Sequence, residues 1–560
     1  MKMAKIGVVF DKEEAELQWS LGRNIFEFFL FEILDHFRLP YEKIDVFDEY
    51  DAFDVLIVNL SRDSVEASMK ILDYVHSGGT VISYGGLESV RKKLGFSKMF
   101  DTQKGYADLS TFLNQSQPLR FLFAEPWKQD GDLVGVRELG SVVAEDKTWQ
   151  GASALQQVKY GAGTIERWSI AIPQTIVGLQ QGTLPVTEDG IAAPDGSANL
   201  DEGILKAEDG FELDWVLDRT LTETGMSYFP YPYADLWKEV IMEHLLKKIL
   251  EKGLTVPFLD YWPANIEHVA MISHDSDLNV DESAQITLDT LKSENVQSTW
   301  CMIAPGYSAP IYEKIKKDGH EIAFHYNALE QEDGVWSEDA FQTQLKWIEK
   351  ATATDNIVSN KNHYTRFEGW GDLFSWCENN GIQVDQSRGP SKKGNIGFLF
   401  GTCHPYFPIA WSDEKNRLYD VLEIGFLTQD LNHNTLADSS VIHPFLDGVK
   451  RVNGVAHFLF HQYHIYHQPK VQEAIIQLIT TARGQGFTFW TSKQINDWER
   501  ARRKLSISGI SHLGDVEVTG DVERNDFMLL IPLADEQITD EVGLVKRLGI
   551  SCKQVKVKES

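Results

Sequence analysis

The stretch Val269-Ala-Met-Ile-Ser-His-Asp-Ser-Asp277 begins with apolar residues and ends in two carboxylates. Such a run predicts a buried parallel strand whose C-terminal end carries Asp275 and Asp277. Residues two apart on a strand project to the same side, so both carboxylates would address one small volume. A turn, or a cap for the helix predicted from Glu282 to Glu294, is the alternative role for Asp277.

Composition limits the classes of protein to which the chain can belong. With 560 residues it is too long for one core, so we expect about three domains. Its formal net charge of -30 argues against binding to nucleic acid or to an anionic membrane surface, because phosphate contacts need clustered Lys and Arg. The sequence gives no indication of an oligomeric state.

Four cysteines without CxxC spacing suit a reducing compartment and argue against a thiolate zinc site. The apolar run near the N-terminus is too short for a signal peptide, and no stretch reaches membrane-spanning length. The expected location is therefore the cytoplasm, although other export routes are not excluded.

The first part of the chain alternates between predicted strands and predicted helices, which implies a parallel sheet. The strands are predicted at 5–10, 53–60 and 79–86 and the helices at 24–36 and 65–75. Further on, 164–171 and 174–179 are predicted to return to the sheet as strands. Residues 211–262 are predicted to be a mainly helical connector.

Two stretches, Phe53-Asp-Val-Leu-Ile-Val-Asn59 and Tyr74-Val-His-Ser-Gly-Gly-Thr-Val-Ile82, resemble class I glutamine amidotransferase-like domains. The resemblance implies a doubly wound domain over residues 1–210. Catalytic members carry a Cys on a tight elbow after a strand, whereas this chain has Ser83-Tyr84-Gly85-Gly86 there and no cysteine before Cys301. The domain is therefore expected to be catalytically inactive.

Twelve of the 16 histidines lie between His268 and His467. Two of them, His325 and His363, end further predicted strands. Together with Asp277 they would supply three N/O ligands for a metal at the mouth of a barrel. Zinc is the first expectation for two imidazoles and one carboxylate, with cobalt, nickel or iron as alternatives.

Several ordered motifs resemble the polysaccharide deacetylase superfamily, also called NodB-homology or carbohydrate esterase family 4, and more narrowly its branch with an HDxD first motif. The motifs are His274-Asp275-Ser-Asp277, Gly319-His320-Glu-Ile-Ala-Phe-His325, Asn362-His363-Tyr-Thr-Arg366, Gly381-Ile-Gln-Val-Asp385, Gly397-Phe-Leu-Phe-Gly-Thr-Cys-His-Pro405 and Val455-Ala-His457-Phe-Leu-Phe-His461-Gln-Tyr-His464. The resemblance implies an incomplete (β/α)7 barrel over residues 263–505.

The resemblance also implies roles for individual residues. Asp275 would be the general base, and the general acid would be His461 or His464. The metal ligands would be Asp277, His325 and His363.

The sequence departs from the family pattern at two points. The position four residues after His325 is Leu329 rather than a second histidine, so the other imidazole is expected from His363. The arginine that usually supports the base is replaced by Lys361. Either Lys361 provides this positive charge, or Arg366 or Arg388 does so, or the base is weakened.

The predicted activity is metal-dependent removal of an acetyl group from an N-acetylated sugar or a related amide. Alternatives are O-deacetylation or another C-N hydrolysis on the same barrel, and a non-catalytic carbohydrate-binding protein. A glycosidase using Asp275 and Asp277 is disfavoured, because two carboxylates on one strand would not flank a glycosidic bond.

The last part of the chain predicts a small β-rich domain over residues 506–560. Its predicted strands lie at 505–509, 516–522, 527–532 and 552–558. About 55 residues are marginal for independent stability, so this domain is expected to pack on the barrel.

Overall fold

The computed structural model describes residues 2–99, 104–131, 135–145, 150–200, 203–433, 436–512, 514–520, 526–538 and 543–557. Its architecture is mixed α/β. Within these ranges, no helix combines the length and the apolar character that a membrane crossing requires.

The N-terminal region is built around a mainly parallel sheet with the strand order β2-β1-β3-β4-β13-β12-β9. Strands β2, β1, β3, β4 and β13 are parallel, and β12 and β9 are antiparallel additions at one edge. The strands of this region are β1 (Ile6–Phe10), β2 (Glu42–Ile44), β3 (Val55–Leu60), β4 (Thr80–Tyr84), β5 (Phe96–Lys98), β6 (Gly105–Asp108), β7 (Leu119–Phe121), β8 (Trp127–Gln129), β9 (Val136–Leu139), β10 (Ser141–Ala144), β11 (Gln150–Ala152), β12 (Leu155–Tyr160) and β13 (Gly163–Trp168). The helices are α1 (Lys12–Ser20), α2 (Phe29–His36), α3 (Val65–His76), α4 (Glu88–Arg91) and α5 (Ile172–Gln181).

The predicted strands at 5–10, 53–60, 79–86 and 164–171 correspond to β1, β3, β4 and β13. The prediction of a strand at 174–179 is wrong, because these residues lie within α5. Pro173 stands in the first turn of α5, and nearly every side chain of this helix is buried. An apolar run that is buried on all sides has no amphipathic period, so a short stretch of it resembles a strand.

The connector contains one long helix and three short strands, β14 (Thr220–Leu221), β15 (Ser227–Tyr228), α6 (Tyr233–Glu251) and β16 (Phe258–Leu259). Most of α6 is buried, and the Trp237 indole N–H donates to the carbonyl of Arg120 in the N-terminal region. The helical prediction for the connector therefore holds for α6 and not for the residues before it.

The barrel region contains a curled sheet with the strand order β22-β21-β20-β19-β18-β17-β24-β23, and every pairing in it is parallel. A further strand, β25, pairs with the first half of β17. The strands are β17 (His268–Asp275), β18 (Thr299–Met302), β19 (Glu321–Tyr326), β20 (Ser359–Asn362), β21 (Val384–Asp385), β22 (Leu422–Glu423), β23 (Thr428–Gln429), β24 (Val455–His461) and β25 (Phe487–Phe489). The helices are α7 (Asp281–Ser293), α8 (Ala309–Lys317), α9 (Glu338–Thr352), α10 (Asp372–Asn379), α11 (Ile442–Val452), α12 (Gln462–His467), α13 (Pro469–Gly484) and α14 (Ser492–Arg503).

The position of β17 in the sheet explains why the stretch from Val269 to Asp277 begins with an apolar run. It lies between β18 and β24, and Val269 to Ile272 are completely buried. A strand that is covered on both faces needs an apolar run rather than an alternating pattern. After this apolar run, the residues from Ser273 to Asp275 are polar and lead to the open end of the barrel.

The C-terminal strands are β26 (Ser506–Ile510), β27 (Val516–Thr519), β28 (Met528–Pro532), β29 (Leu544–Arg547) and β30 (Ile550–Lys556). Strands β26 and β27 form a hairpin, and β28, β30 and β29 form an antiparallel sheet to which β16 of the connector adds a strand. The predicted strands at 516–522 and 552–558 extend into residues 521–522 and 558, which lie outside the described residues.

Candidate metal centre

The C-terminal ends of β17, β19 and β20 bring three of the sequence-predicted residues together. Asp277 follows β17 by two residues, His325 lies in β19, and His363 comes directly after β20. Parallel strands end at the same edge of a sheet, so side chains at these positions converge. Asp277 does not cap the next helix, because α7 begins at Asp281 and its N-cap residue is Val280.

Three possible ligand atoms form a nearly equilateral triangle. Asp277 Oδ1 lies 3.2 Å from His325 Nε2 and 3.3 Å from His363 Nδ1, and the two imidazole nitrogens are 3.2 Å apart. Both histidines are buried. The geometry brings one carboxylate oxygen and two imidazole nitrogens to a single point.

The outward nitrogens of both rings have acceptors. His325 Nδ1 lies 2.9 Å from the carbonyl oxygen of Lys361, and His363 Nε2 lies 3.2 Å from Glu332 Oε2. Since neither oxygen can donate, these contacts favour a proton on each outward nitrogen and a lone pair on each inward one. Partners of this kind orient histidine ligands in metalloproteins.

The residues present fit a divalent transition metal. Asp277 Oδ1 is buried and, among the described residues, has no partner in hydrogen-bond geometry. Burial acts to raise the pKa of Asp277, but His325, His363 and His461 in their protonated forms hold it well below the ordinary value, and a bound cation would take the place of the inward protons. An ionised carboxylate beside two imidazole lone pairs is a ligand set that zinc accepts.

Asp275 lies beside this triangle and contacts a buried cation. Lys361 Nζ is 3.3 Å from Asp275 Oδ1, and Asp275 Oδ2 is 3.8 Å from His325 Nε2. Lys361 is completely buried and also donates to Ser273 Oγ at 2.5 Å, which in turn lies 2.8 Å from His457 Nε2. This position places a positive charge beside the carboxylate of Asp275.

The other two candidate cations have different partners. Arg366 pairs with Glu368 and donates to the carbonyl of Ala328. Arg388 donates to the carbonyl of Gln180. Of the three cations considered from the sequence, Lys361 is the one whose described contacts include Asp275.

His461 contacts the second carboxylate oxygen of Asp277, with its Nε2 3.5 Å from Asp277 Oδ2. Its Nδ1 donates to Asp430 Oδ2 at 2.5 Å, and its backbone N–H donates to Asp430 Oδ1. Burial acts to lower the pKa of His461, but Asp430 and then Asp277 raise it well above the ordinary value. The imidazole is therefore held in its protonated form.

His464 occupies a different position. Its Nε2 lies 3.9 Å from Asp430 Oδ2, and its ring stacks on His433 at 3.7 Å. Burial lowers the pKa of His464. Between the two acid candidates, His461 is the protonated imidazole that contacts Asp277.

Sequence reasoning missed Asp430 and Glu332. Asp430 follows β23 directly, so the rule that located Asp275 at a strand end could have found it, but β23 is only two residues long. Glu332 lies in a short 3-10 turn after β19 and carries no periodic signal. Asp430, His461 and His464 also form a second group of possible metal ligands among the described residues.

Residues of the proposed metal centre and their neighbours line a cavity of about 690 Å³ at the open end of the barrel. Its wall includes Asp275, Asp277, His363, His461 and Lys206, the last of which comes from the N-terminal region. The volume is in the range of small-molecule sites.

No protein-family model matches the chain, and no curated protein matches it either. Solved structures similar to it include a putative polysaccharide deacetylase from Mycobacterium smegmatis, with 14% identity, 44% of this chain and 94% of that chain covered, and a TM-score of 0.33. They also include Agd3, described as a novel carbohydrate deacetylase, with 10% identity, 100% and 98% covered, and a TM-score of 0.37.

A β-galactosidase from Bacillus circulans sp. alkalophilus matches at 13% identity over 30% of this chain, with a TM-score of 0.24. The match spans only 28% of the β-galactosidase chain. We draw no functional conclusion from likeness at these levels.

Proposed function

We propose that the protein is a metal-dependent hydrolase that removes an acetyl group from an N-acetylated sugar. The observation that carries this proposal is the triangle of Asp277, His325 and His363, which lies between the carboxylate of Asp275 and the imidazole of His461. A divalent cation held by the three ligands, with zinc as the expected metal, would supply Lewis-acid polarisation of the acyl carbonyl and increase the acidity of water.

Asp275 has the position of a general base. Its Oδ1 contacts Lys361, and its Oδ2 points towards the ligand atom of His325. We assign it the removal of a proton from the attacking water. Lys361, which is buried and cannot move to solvent without breaking its bond to Ser273, would orient the carboxylate through their contact.

His461 has the position and charge of a general acid. Its Nδ1 is anchored on Asp430, while its Nε2 faces Asp277 and the cavity. We assign it the proton that the leaving nitrogen needs when the C–N bond breaks. An amine is a poor leaving group unless it is protonated, so a histidine held as imidazolium favours amide over ester hydrolysis.

The alternative of O-deacetylation or another C–N hydrolysis uses the same groups. A lysine at the arginine position would favour a non-catalytic carbohydrate-binding protein if it left the base weakened. The 3.3 Å contact between Lys361 and Asp275 supports the enzyme instead, because the lysine still delivers its charge to the carboxylate. The inactive amidotransferase-like domain and the cytoplasmic location stay predictions from the sequence.

The test is elemental analysis of the wild-type protein and of the His325→Ala and His363→Ala variants, followed by acetate release from N-acetylated sugars. We expect about one zinc per chain in the wild type and none in either variant. His443→Ala, which removes an exposed imidazole of α11, is the matched control and should keep the metal. Metal that persists in His363→Ala would refute the ligand set, and a metal-loaded wild type that releases no acetate would refute the reaction.

A further inference from the structure

Three residues that line the cavity, Leu278, Tyr364 and Thr365, have positive φ, and two of them carry large apolar side chains. Leu278 has φ 54° and Tyr364 has φ 57°, both in the left-handed region that non-glycine residues rarely adopt. Each follows one of the proposed ligands directly, Leu278 after Asp277 and Tyr364 after His363. The left-handed region is sterically unfavourable for a residue with a Cβ, so both positions store strain beside the metal centre.

The same two residues expose large apolar side chains. Leu278 is 67% exposed and Tyr364 is 50% exposed, and both line the cavity of the metal centre. The Tyr364 ring lies edge-on to the ring of His363 at 4.7 Å. Neither side chain is placed where it contributes to the hydrophobic core.

Among the described non-glycine residues with positive φ, only Leu278 and Tyr364 carry an exposed large apolar side chain. Residues held in a strained conformation persist where the surrounding structure fixes them, and such residues cluster at functional sites. Because a core role is excluded by exposure, the strain points to a contact made with a ligand.

We propose that Leu278 and Tyr364 form the contact surface for the sugar ring that carries the acyl group. This pair, which we call the Leu278–Tyr364 pair, would favour a substrate whose amide is attached to a pyranose ring over an acyclic amide. The inference rests on the proposed function, since the ring must lie beside the atoms of Asp277 and His363.

The chemistry of a pyranose fits these two side chains. One face of such a ring presents mainly C–H groups, which pack on an aromatic or aliphatic surface while the hydroxyls keep polar partners. Removing this apolar area from water supplies affinity at about 25 cal/mol per Å². An acyclic acetylated amine has no comparable face and would gain little from the pair.

The experiment measures kcat and KM for an N-acetylglucosamine pentamer in Tyr364→Ala and Leu278→Ala. We expect KM to rise by about tenfold in each variant, with kcat changed by less than about twofold, because the lost contact is made equally in the ground and transition states. Tyr466→Ala on α12 and Leu221→Ala in β14 are matched controls, since both residues are exposed and lie outside the cavity lining. An unchanged KM in both cavity variants would overturn the inference.

A second measurement tests the strain itself. At positions 278 and 364, glycine should give a higher Tm than alanine, because glycine adopts positive φ without a steric penalty. At Tyr466 the order should reverse, since glycine destabilises a helix relative to alanine. Alanine variants more stable than glycine variants at both cavity positions would contradict the argument.

Failure of the inference and failure of the proposed function give different results. Acetate release with an unaltered KM in the cavity variants would support the proposed reaction and overturn the proposed role of the Leu278–Tyr364 pair. If the wild type releases no acetate, calorimetric titration with the pentamer still tests the pair. Binding that is lost in Tyr364→Ala would support it, and wild type that does not bind the pentamer would overturn it.

Discussion

Asp11, at the end of a strand in the N-terminal sheet, and Asp277, at the end of a strand in the barrel, have opposite hydrogen-bonding environments. In the N-terminal sheet, Asp11 follows β1, Arg62 lies just beyond β3, and Arg62 contacts both carboxylate oxygens of Asp11 at 2.6 Å. Asp11 also accepts from the N–H of Glu14 and so caps α1. In the barrel, Asp277 Oδ1 is buried with no described hydrogen-bond partner.

A carboxylate at the end of a parallel strand therefore has a structural role in one sheet and a proposed chemical role in the other. A carboxylate whose oxygens are fully hydrogen-bonded stabilises the local structure and has no capacity left for a ligand. Ser83 in the N-terminal sheet follows the same pattern, because it is 2% exposed and its hydroxyl donates to the carbonyl of Gly85. In the barrel, Asp275 and Asp277 each keep one buried oxygen without a described hydrogen-bond partner at the cavity.

The largest effect is expected from Asp275→Asn. Loss of the general base should reduce acetate release by about 10²–10⁴-fold while the metal content stays that of the wild type. Acetate assays and elemental analysis on the same preparation check both statements. Ser83→Ala is the matched control from the N-terminal sheet, and a comparable loss of activity there would break the comparison between the sheets.

A smaller effect is expected from Glu332→Gln. Glu332 lies 3.2 Å from His363 Nε2, and its loss as an anionic partner should weaken metal affinity by about 10–100-fold. Competition with a chelator measures this affinity. Glu330→Gln, in the same 3-10 turn, is the control for a lost negative charge. Equal affinities in the two variants would show that His363 needs no partner.

The pH dependence of the reaction tests Asp430. Since Asp430 raises the pKa of His461, the protonated acid persists above the ordinary histidine range and is lost as the pH rises through the raised value. In Asp430→Asn the alkaline limb of kcat/KM should therefore move to lower pH, by about 1 unit or more. An alkaline limb that stays in place would mean that His461 is not the acid.

The smallest effect on activity is expected from Asp11→Asn, which should alter stability instead. Burial acts to raise the pKa of Asp11, but hydrogen bonds from Arg62 and Glu14 hold it below the ordinary value. The resulting stabilisation is present at neutral pH and disappears as the pH falls through the lowered pKa. Breaking it should cost about 1–3 kcal/mol.

Calorimetry at pH 7 should show a lower Tm for Asp11→Asn, and the gap from the wild type should narrow in acid. Metal content and kcat/KM should match the wild type. A loss of metal in this variant would mean that the N-terminal sheet supports the metal centre directly, contrary to the comparison.

Much of this architecture could be predicted from local patterns. Apolar runs identified β1, β3, β4 and β17, because a strand covered on both faces must be apolar along its length. The same criterion gave a wrong prediction at α5, where burial on all sides removes the amphipathic signal of a helix. It also predicted a helical connector where only α6 is a long helix, since tertiary contacts hold the preceding residues in extended segments.

The sequence alone was sufficient to locate Asp275, Asp277, His325 and His363 at strand ends, because parallel strands present their C-terminal residues at one edge. It left open which cation faces Asp275 and which histidine is held as the acid. Those answers depend on Lys361, Asp430 and Glu332, whose partners lie about 30 or more residues away in the chain. Contacts over such separations follow from how the strands curl and the loops close, and no local periodicity encodes them.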